Sequence, residues 1–343
     1  MVLILFVLFV IVSICFWTGT KCYMKIFYCS ITCLIILVAG LRPEGIDRDY
    51  LTYLEHFYDY QNYALLEPSF KLIAYFVHNV IGAYPVLLFL IYAIIGVSLK
   101  MIAIKQLSTL VWGGVLVYLS YYFLLHEMTQ IRAGVASGFL LLSIKPLYDR
   151  RLKLFLLYAG CATFFHYSGV VIFLLWVVKN KVNRNVLAGI IPLAILAYII
   201  GRTSLIFNLP VPILGDKMMV YQNLKNIDSS HNVINVFNAV YIVKLVLFYL
   251  FWWKYKLLEV HNQYFPLLFK IYGFSLCLLP LLSDIPVFAY RLSELLGIVE
   301  IVLFPLIYYL FKPDVISRFL LQIFCISMFL ISIFYNQLIS TAL

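Results

Sequence analysis

The chain has 343 residues, of which 64% are hydrophobic, 17% aromatic and only 12% charged, and its mean hydropathy is +1.00. A soluble domain carries about 25% charged residues, so a soluble enzyme, a disordered chain and a secreted disulfide scaffold are all excluded. The net charge of +10 is too dispersed for a nucleic-acid-binding stripe and reads as the basic excess of cytoplasmic loops meeting anionic lipid.

Apolar runs long enough for a hydrocarbon core of about 30 Å cover residues 1–18, 26–41, 69–100, 109–126, 130–148, 152–178, 186–206, 235–253, 264–283, 291–311 and 319–338. Met1 to Trp17 has no basic n-region and no small-residue cleavage site, so it reads as a retained first span. The seven cysteines lie in or beside apolar runs without CxxC or metal-like spacing, and read as small buried hydrophobes. No repeat or low-complexity tract divides the chain, which predicts one membrane domain over 1–343 with outer loops at 42–68 and 207–234.

Two of the apolar runs carry breaks. Residues 69–100 contain Gly82-Ala83-Tyr84-Pro85, which predicts one kinked span. Residues 152–178 contain Phe164-Phe165-His166-Tyr167-Ser168-Gly169 and are flanked by basic clusters on both sides. A straight helix of that length would be about 40 Å long and would export one cluster. A broken hairpin that enters as far as His166 and returns keeps both in the cytoplasm. With these choices fifteen of the 25 basic residues fall inside, Lys100 and Lys105 among them, and the carboxylates inside are Asp149, Glu259 and Asp314. Five arginines (42, 48, 132, 202 and 291) nevertheless lie in or beside outer loops. Arginine on that side is not needed for orientation, and its planar fork suits phosphate and carboxylate.

Four constellations follow in chain order. Leu41-Arg42-Pro43-Glu44-Gly45-Ile46-Asp47-Arg48-Asp49-Tyr50-Leu51-Thr52-Tyr53, then Glu67-Pro68, has the acids and tyrosines of a sugar-binding or base-supplying loop. It equally suits a solvated loop with internal ion pairs, Asp47 with Arg48 or Arg42. His126-Glu127-Met128-Thr129-Gln130-Ile131-Arg132 opens a helix whose N-terminus favours anions, while Gly134 and Gly138 read as packing glycines. His166-Tyr167-Ser168 places a histidine inside a membrane segment, as a catalyst or as a buried structural donor. Asp284-Ile285-Pro286 leads to Tyr290-Arg291 and Glu294, where Arg291 binds an anion or pairs with Glu294.

The order Arg42…Asp49-Tyr50-x-x-Tyr53…Glu67, Gln130-x-Arg132, Phe165-His166-Tyr167-Ser168, Arg291 resembles the Wzy-type polymerases of O-antigen, capsule and exopolysaccharide repeat units, in particular their EpsG-like branch. The resemblance runs over about residues 40–300. It implies an all-α, polytopic integral membrane protein with about 11–13 transmembrane helices, broken or re-entrant helices and a GT-C-like architecture. The implied activity is that of a membrane glycosyltransferase. It joins undecaprenyl-diphosphate-linked oligosaccharide repeat units at the outer face of the bacterial inner membrane, with its site facing the periplasm. No metal or other cofactor is implied; the expected partners are the lipid-linked oligosaccharide, membrane lipid, a chain-length regulator and a flippase, and no nucleic acid. His166 and Asp49 are the expected bases, and Arg132 and Arg291 the expected diphosphate ligands. Arg42, Asp47, Tyr50, Tyr53, Glu67, Gln130, Tyr167 and Ser168 are expected to bind substrate. A lipid-linked oligosaccharide flippase or transporter and a polysaccharide acyltransferase are the alternatives. A flippase favours inverted repeats and polar groups along a through-pathway, which the sequence lacks.

Overall fold

The computed structural model describes residues 1–19, 24–180, 183–201 and 235–340. The expected outer loop at 207–234 and Arg202 lie outside these residues. Among the described residues the regular structure is helical, with no pairing of extended chain beyond one antiparallel bridge between Asp47 and Ile339. Among the described residues three helices are long and apolar enough to cross a membrane: Pro85–Leu107, Pro286–Tyr309 and Asp314–Tyr335, of 23, 24 and 22 residues. Seven further apolar helices, such as Val2–Thr18 and Leu152–Phe165, are of 10–17 residues. Several are short because the chain breaks where the sequence places Gly, Pro or a polar pair.

By internal contacts the chain forms two compact units. The first comprises Met1–Val178, Leu257–Tyr264 and Glu300–Leu343; the second comprises Lys179–Lys256 and Phe265–Val299. In the first unit α1 (Val2–Thr18) lies against Asp314–Leu330, where Phe9 stacks on Phe329 at 4.9 Å. Helix α2 (Met24–Gly40) runs antiparallel to α5 (Pro85–Leu107). At one end Tyr28 Oη donates to the Met101 carbonyl at 2.6 Å. At the other, a Cβ on Gly40 would stand 2.9 Å from Leu90 Cα, so the glycine permits backbone-close packing.

Residues 69–100 do not form one kinked span. Helices α3 (Tyr50–Tyr58) and α4 (Pro68–Phe76) belong to the segment before α5, and the chain reverses at Gly82. Ser69 Oγ and Tyr92 Oη are 3.4 Å apart although 23 residues separate them. A continuous helix would hold them about 35 Å apart. Pro85, at the first turn of α5, and Gly82 at φ 124° make the reversal, since Pro restarts a helix and Gly accepts the positive φ. Of the two arms, α5 alone has the length and composition to cross a membrane.

The broken hairpin, in contrast, is present. Helix α8 (Leu152–Phe165) stops at His166, which is extended at φ −153°. A short return arm of tight turns runs from Tyr167 to Val177. Arg150, just before α8, donates to the carbonyls of Trp176 at 2.8 Å and Val178 at 2.6 Å, so both ends of the hairpin meet. Gly169 lets the arm lie on α8, because a Cβ there would sit 2.6 Å from the Ala162 carbonyl carbon. Between these elements, α6 (Val111–Val117) continues to Thr129 in wider turns closed by i→i+5 hydrogen bonds, and α7 (Ile131–Tyr148) descends beside α5.

The second unit packs α10 (Arg184–Ile199), Ala239–Trp253 and Pro286–Gly297 around Phe265–Leu281. Phe248 stacks on Phe269 at 4.5 Å, and Ser275 and Ser293 exchange hydrogen bonds with each other's carbonyls. Asn183 and Asn238 cap their helices by accepting from backbone N–H groups three residues on.

Candidate active site

Three tips of the first unit meet at the level of Tyr92, about 10 Å below the start of α5. They are the end of the 42–67 segment, the turn between α6 and α7, and the His166 break. Phe165 marks the level by its edge-on contact with Tyr92 at 6.0 Å. Non-helical backbone at this depth is tolerated where protein buries it or where it lines a polar site.

Glu67 stands at the N-cap of α4, immediately before Pro68, yet its carboxylate does not cap the helix. It reaches across instead. His166 Nδ1 lies 2.8 Å from Glu67 Oε1, and Arg132 Nη1 donates to Glu67 Oε2. All three are at most lightly exposed; the Arg132 side chain, at 17%, is the most open. The Arg132 guanidinium also lies over the rings of Tyr53 and Phe70, at 5.4 and 5.6 Å. Its Nε is buried without a hydrogen-bond partner, so part of its donor set remains for an anion. Burial pushes the Glu67 carboxyl upward, but the His166 hydrogen bond and the Arg132 charge outweigh it and hold the pKa down to about 2. Glu67 is therefore a fixed anion joining a histidine to an arginine.

Around this triad the other expected residues take varied places. Gln130 is the residue before α7 and is half-buried. Tyr167 Oη donates to the Leu66 carbonyl at 3.4 Å, tying the return arm to the residue before Glu67. Ser168 follows in the same half-buried turn. Asp49 caps the start of α3 in position only: its side chain makes no capping bond, and its N–H donates to Asp47 Oδ1 at 3.0 Å. Tyr50 and Tyr53 do not offer open faces to a sugar. Tyr50 stacks on Phe89 at 4.7 Å and Tyr53 on Phe70 at 6.2 Å, with exposures of 5% and 4%. The loop is aromatic because it folds into the core.

Arg42 is likewise drawn inward, away from the role of an open diphosphate ligand. Its Nε is 2.9 Å from Asp47 Oδ2, its Nη1 donates to the Glu127 carbonyl at 2.8 Å, and its guanidinium lies 4.2 Å from the Phe89 ring centre. The pairing of Asp47 with Arg42, one of the two expected, assigns Asp47 a loop-holding place. Burial raises its carboxyl to about 6, against the lowering effect of Arg42. The Ile46–Asp47 strand also receives Ser340, whose N–H donates to the Ile46 carbonyl at 2.7 Å. Arg291 lies on Pro286–Gly297 of the second unit, half-buried, three residues before Glu294.

Sequence reasoning missed one member of this region. Lys100, counted above as a cytoplasmic loop cation, is completely buried within α5 and bonds Glu127 at 2.5 Å. The signal was available: the apolar stretch continues past Lys100 as Met101-Ile102-Ala103-Ile104, and Glu127 lies between two apolar runs. Among the described residues no three His, Cys, Asp or Glu side chains converge as metal ligands would.

Comparison with known proteins follows the same stretch of chain. The amylovoran biosynthesis protein AmsC of Erwinia amylovora is 25% identical, over 94% of this chain and 88% of its own length. No solved structure matches. The model of the EpsG family matches residues 25–342, which contain all three members of the Glu67, His166 and Arg132 triad. The chain belongs to the EpsG family.

Proposed function

We propose that this protein is a membrane glycosyltransferase that polymerises undecaprenyl-diphosphate-linked oligosaccharide repeat units at the outer face of the inner membrane. The family and the amylovoran relative support a place in polysaccharide biosynthesis. The observation that carries the finer reading is the Glu67 bridge between His166 and Arg132. It holds a base and an anion ligand on one carboxylate, as transfer from a diphosphate requires.

With Nδ1–H directed at Glu67, His166 carries its basic lone pair on Nε2. An acceptor sugar hydroxyl gives its proton to that nitrogen while its oxygen attacks the anomeric carbon of the donor glycan. The bond from that carbon to the diphosphate oxygen breaks, and the electron pair leaves with undecaprenyl diphosphate. Glu67 orients the imidazole and stabilises the imidazolium, as a buried carboxylate does in other His-dependent transfers. Arg132 faces the charge that develops on the leaving group. Asp49 is secondary in this scheme, because Glu67 supplies the carboxylate that the histidine uses.

Deletion in the native host followed by gel analysis of the surface polysaccharide tests the reading. A ladder that collapses to a single repeat unit supports polymerisation. Loss of even that single unit indicates flipping or synthesis and overturns it.

A further inference from the structure

The triad mechanism leaves unused a deeply buried ion pair of the first unit, Lys100 with Glu127. Lys100 is fully buried, and its Nζ donates to Glu127 Oε1 at 2.5 Å and to the Gly134 carbonyl at 2.6 Å. Its surroundings are fitted to the His126-Glu127 dipeptide from several directions. One turn earlier on α5, a Cβ on Gly96 would stand 2.3 Å from Glu127 Oε2. A Cβ on Gly134 would stand 2.8 Å from the His126 carbonyl oxygen, and Ser137 Oγ lies 3.1 Å from His126 Nδ1. Arg42 takes the Glu127 carbonyl at 2.8 Å. Of the two glycines expected to serve helix packing, Gly134 makes room for this dipeptide, while Gly138 lies against Leu99 of α5.

The two groups that Lys100 holds lie on either side of Arg132 in the chain. Glu127 is five residues before it and Gly134 two residues after. Between them the wide-turned end of α6 closes, with Gln130 N–H donating to the Leu125 carbonyl at 2.7 Å, and α7 begins. Wide i→i+5 turns inside helices concentrate at functional sites, where they re-aim a side chain. A buried ion pair is a poor device for stability alone, because well-packed apolar residues of similar volume often serve as well or better.

We propose that Lys100 and Glu127 form a positioning pair that fixes the α6–α7 turn, and with it the placing of Arg132 on Glu67. This rests on the reading of Glu67, His166 and Arg132 as a transferase centre. Neither residue touches the reacting atoms; both act through Arg132.

Two variants test the pair in the full-length protein. Lys100→Met/Glu127→Leu removes both charges together, and Gly96→Ala keeps both while displacing the Glu127 carboxylate. Polymerisation of purified lipid-linked repeat units should show kcat lowered about 10²-fold, as for a displacement near 1 Å, with KM within about threefold and the thermal midpoint near wild type. A variant that melts like wild type and retains kcat within about threefold reduces the pair to packing and overturns the proposal. Failure of both variants to fold makes the pair a folding determinant and overturns it as well. The geometry is read separately by maleimide labelling of Gln130→Cys in a cysteine-free background. Its rate should change about tenfold when the double substitution is added, and an unchanged rate overturns the positioning claim. A wild-type protein that makes no polymer sinks the functional reading alone, since the labelling comparison does not depend on activity.

Discussion

In the proposed mechanism Glu67 carries the chemistry at the scale of single residues, and its ionisation sets a pH signature. Its pKa is about 2 in the folded state, below the ordinary 4.5, so between those values the unfolded chain binds more protons. The stability it contributes is complete above about pH 4.5 and is lost as the pH falls toward 2. Thermal midpoints measured across that range should decline in wild type and decline less in Glu67→Gln; parallel curves would remove Glu67 as the anchor of the triad. Arg132→Lys keeps a charge but cannot both hold Glu67 and lie flat over Tyr53 and Phe70. Polymerisation should drop about 10²-fold with normal expression. Asp49→Asn should cost less than tenfold, since the bond to Asp47 comes from the Asp49 backbone N–H, which Asn keeps, and Glu67 is the carboxylate at His166; a larger loss would return it to the candidate bases. The residue types of the site were legible in the sequence. Which acid served the histidine was not, because Glu67 and His166 are 99 positions apart and nothing local joins them.

The elements were legible where a charge or a break fell on a regular pattern. The basic residues on both flanks of 152–178 required a hairpin, and the Arg150 bonds to Trp176 and Val178 close it. Cysteines at 150 and 178 should be labelled from one side of the membrane and joined by a short bifunctional maleimide; opposite sidedness would undo the hairpin. Gly169→Ala places a methyl against the Ala162 backbone and should lower stability by about 1–3 kcal/mol, read as a lower thermal midpoint. The reversal at Gly82 was misread because a glycine and a proline mark a kink and a turn equally well. The contacts of Ser69 and Phe70 with Tyr92 separate the two. Lys100 was misassigned for a related reason: hydropathy ends a span at the first charge, whereas here the charge is paired inside α5.

For the whole molecule, composition alone established the membrane class, since 12% charged residues cannot cover a water-facing surface. Lys100 leaves the tally of loop cations, because it is buried in α5 and paired with Glu127. Two arginines of the first unit sit beside tryptophans. Arg150 lies over Trp176, and Arg318 donates to the Trp17 carbonyl at 2.7 Å. In the second unit Arg184 lies over Trp252 and Lys254 over Trp253. Such basic and aromatic pairs belong at a membrane–water boundary. What sequence could not convey was depth: loop 42–67 folds inward, so Tyr50, Tyr53 and Tyr60 are core and its last acid, Glu67, meets His166 and Arg132. The central claim is that the carboxylate of Glu67, through His166, drives glycosyl transfer from a lipid diphosphate. Its most direct test is polymer formation from purified lipid-linked repeat units by wild type and Glu67→Gln side by side. The account predicts a ladder of repeat lengths from wild type, and a rate lower by a factor of about 10²–10⁴ from a normally folded variant. No product beyond one repeat from wild type, or an undiminished ladder from the variant, would contradict it.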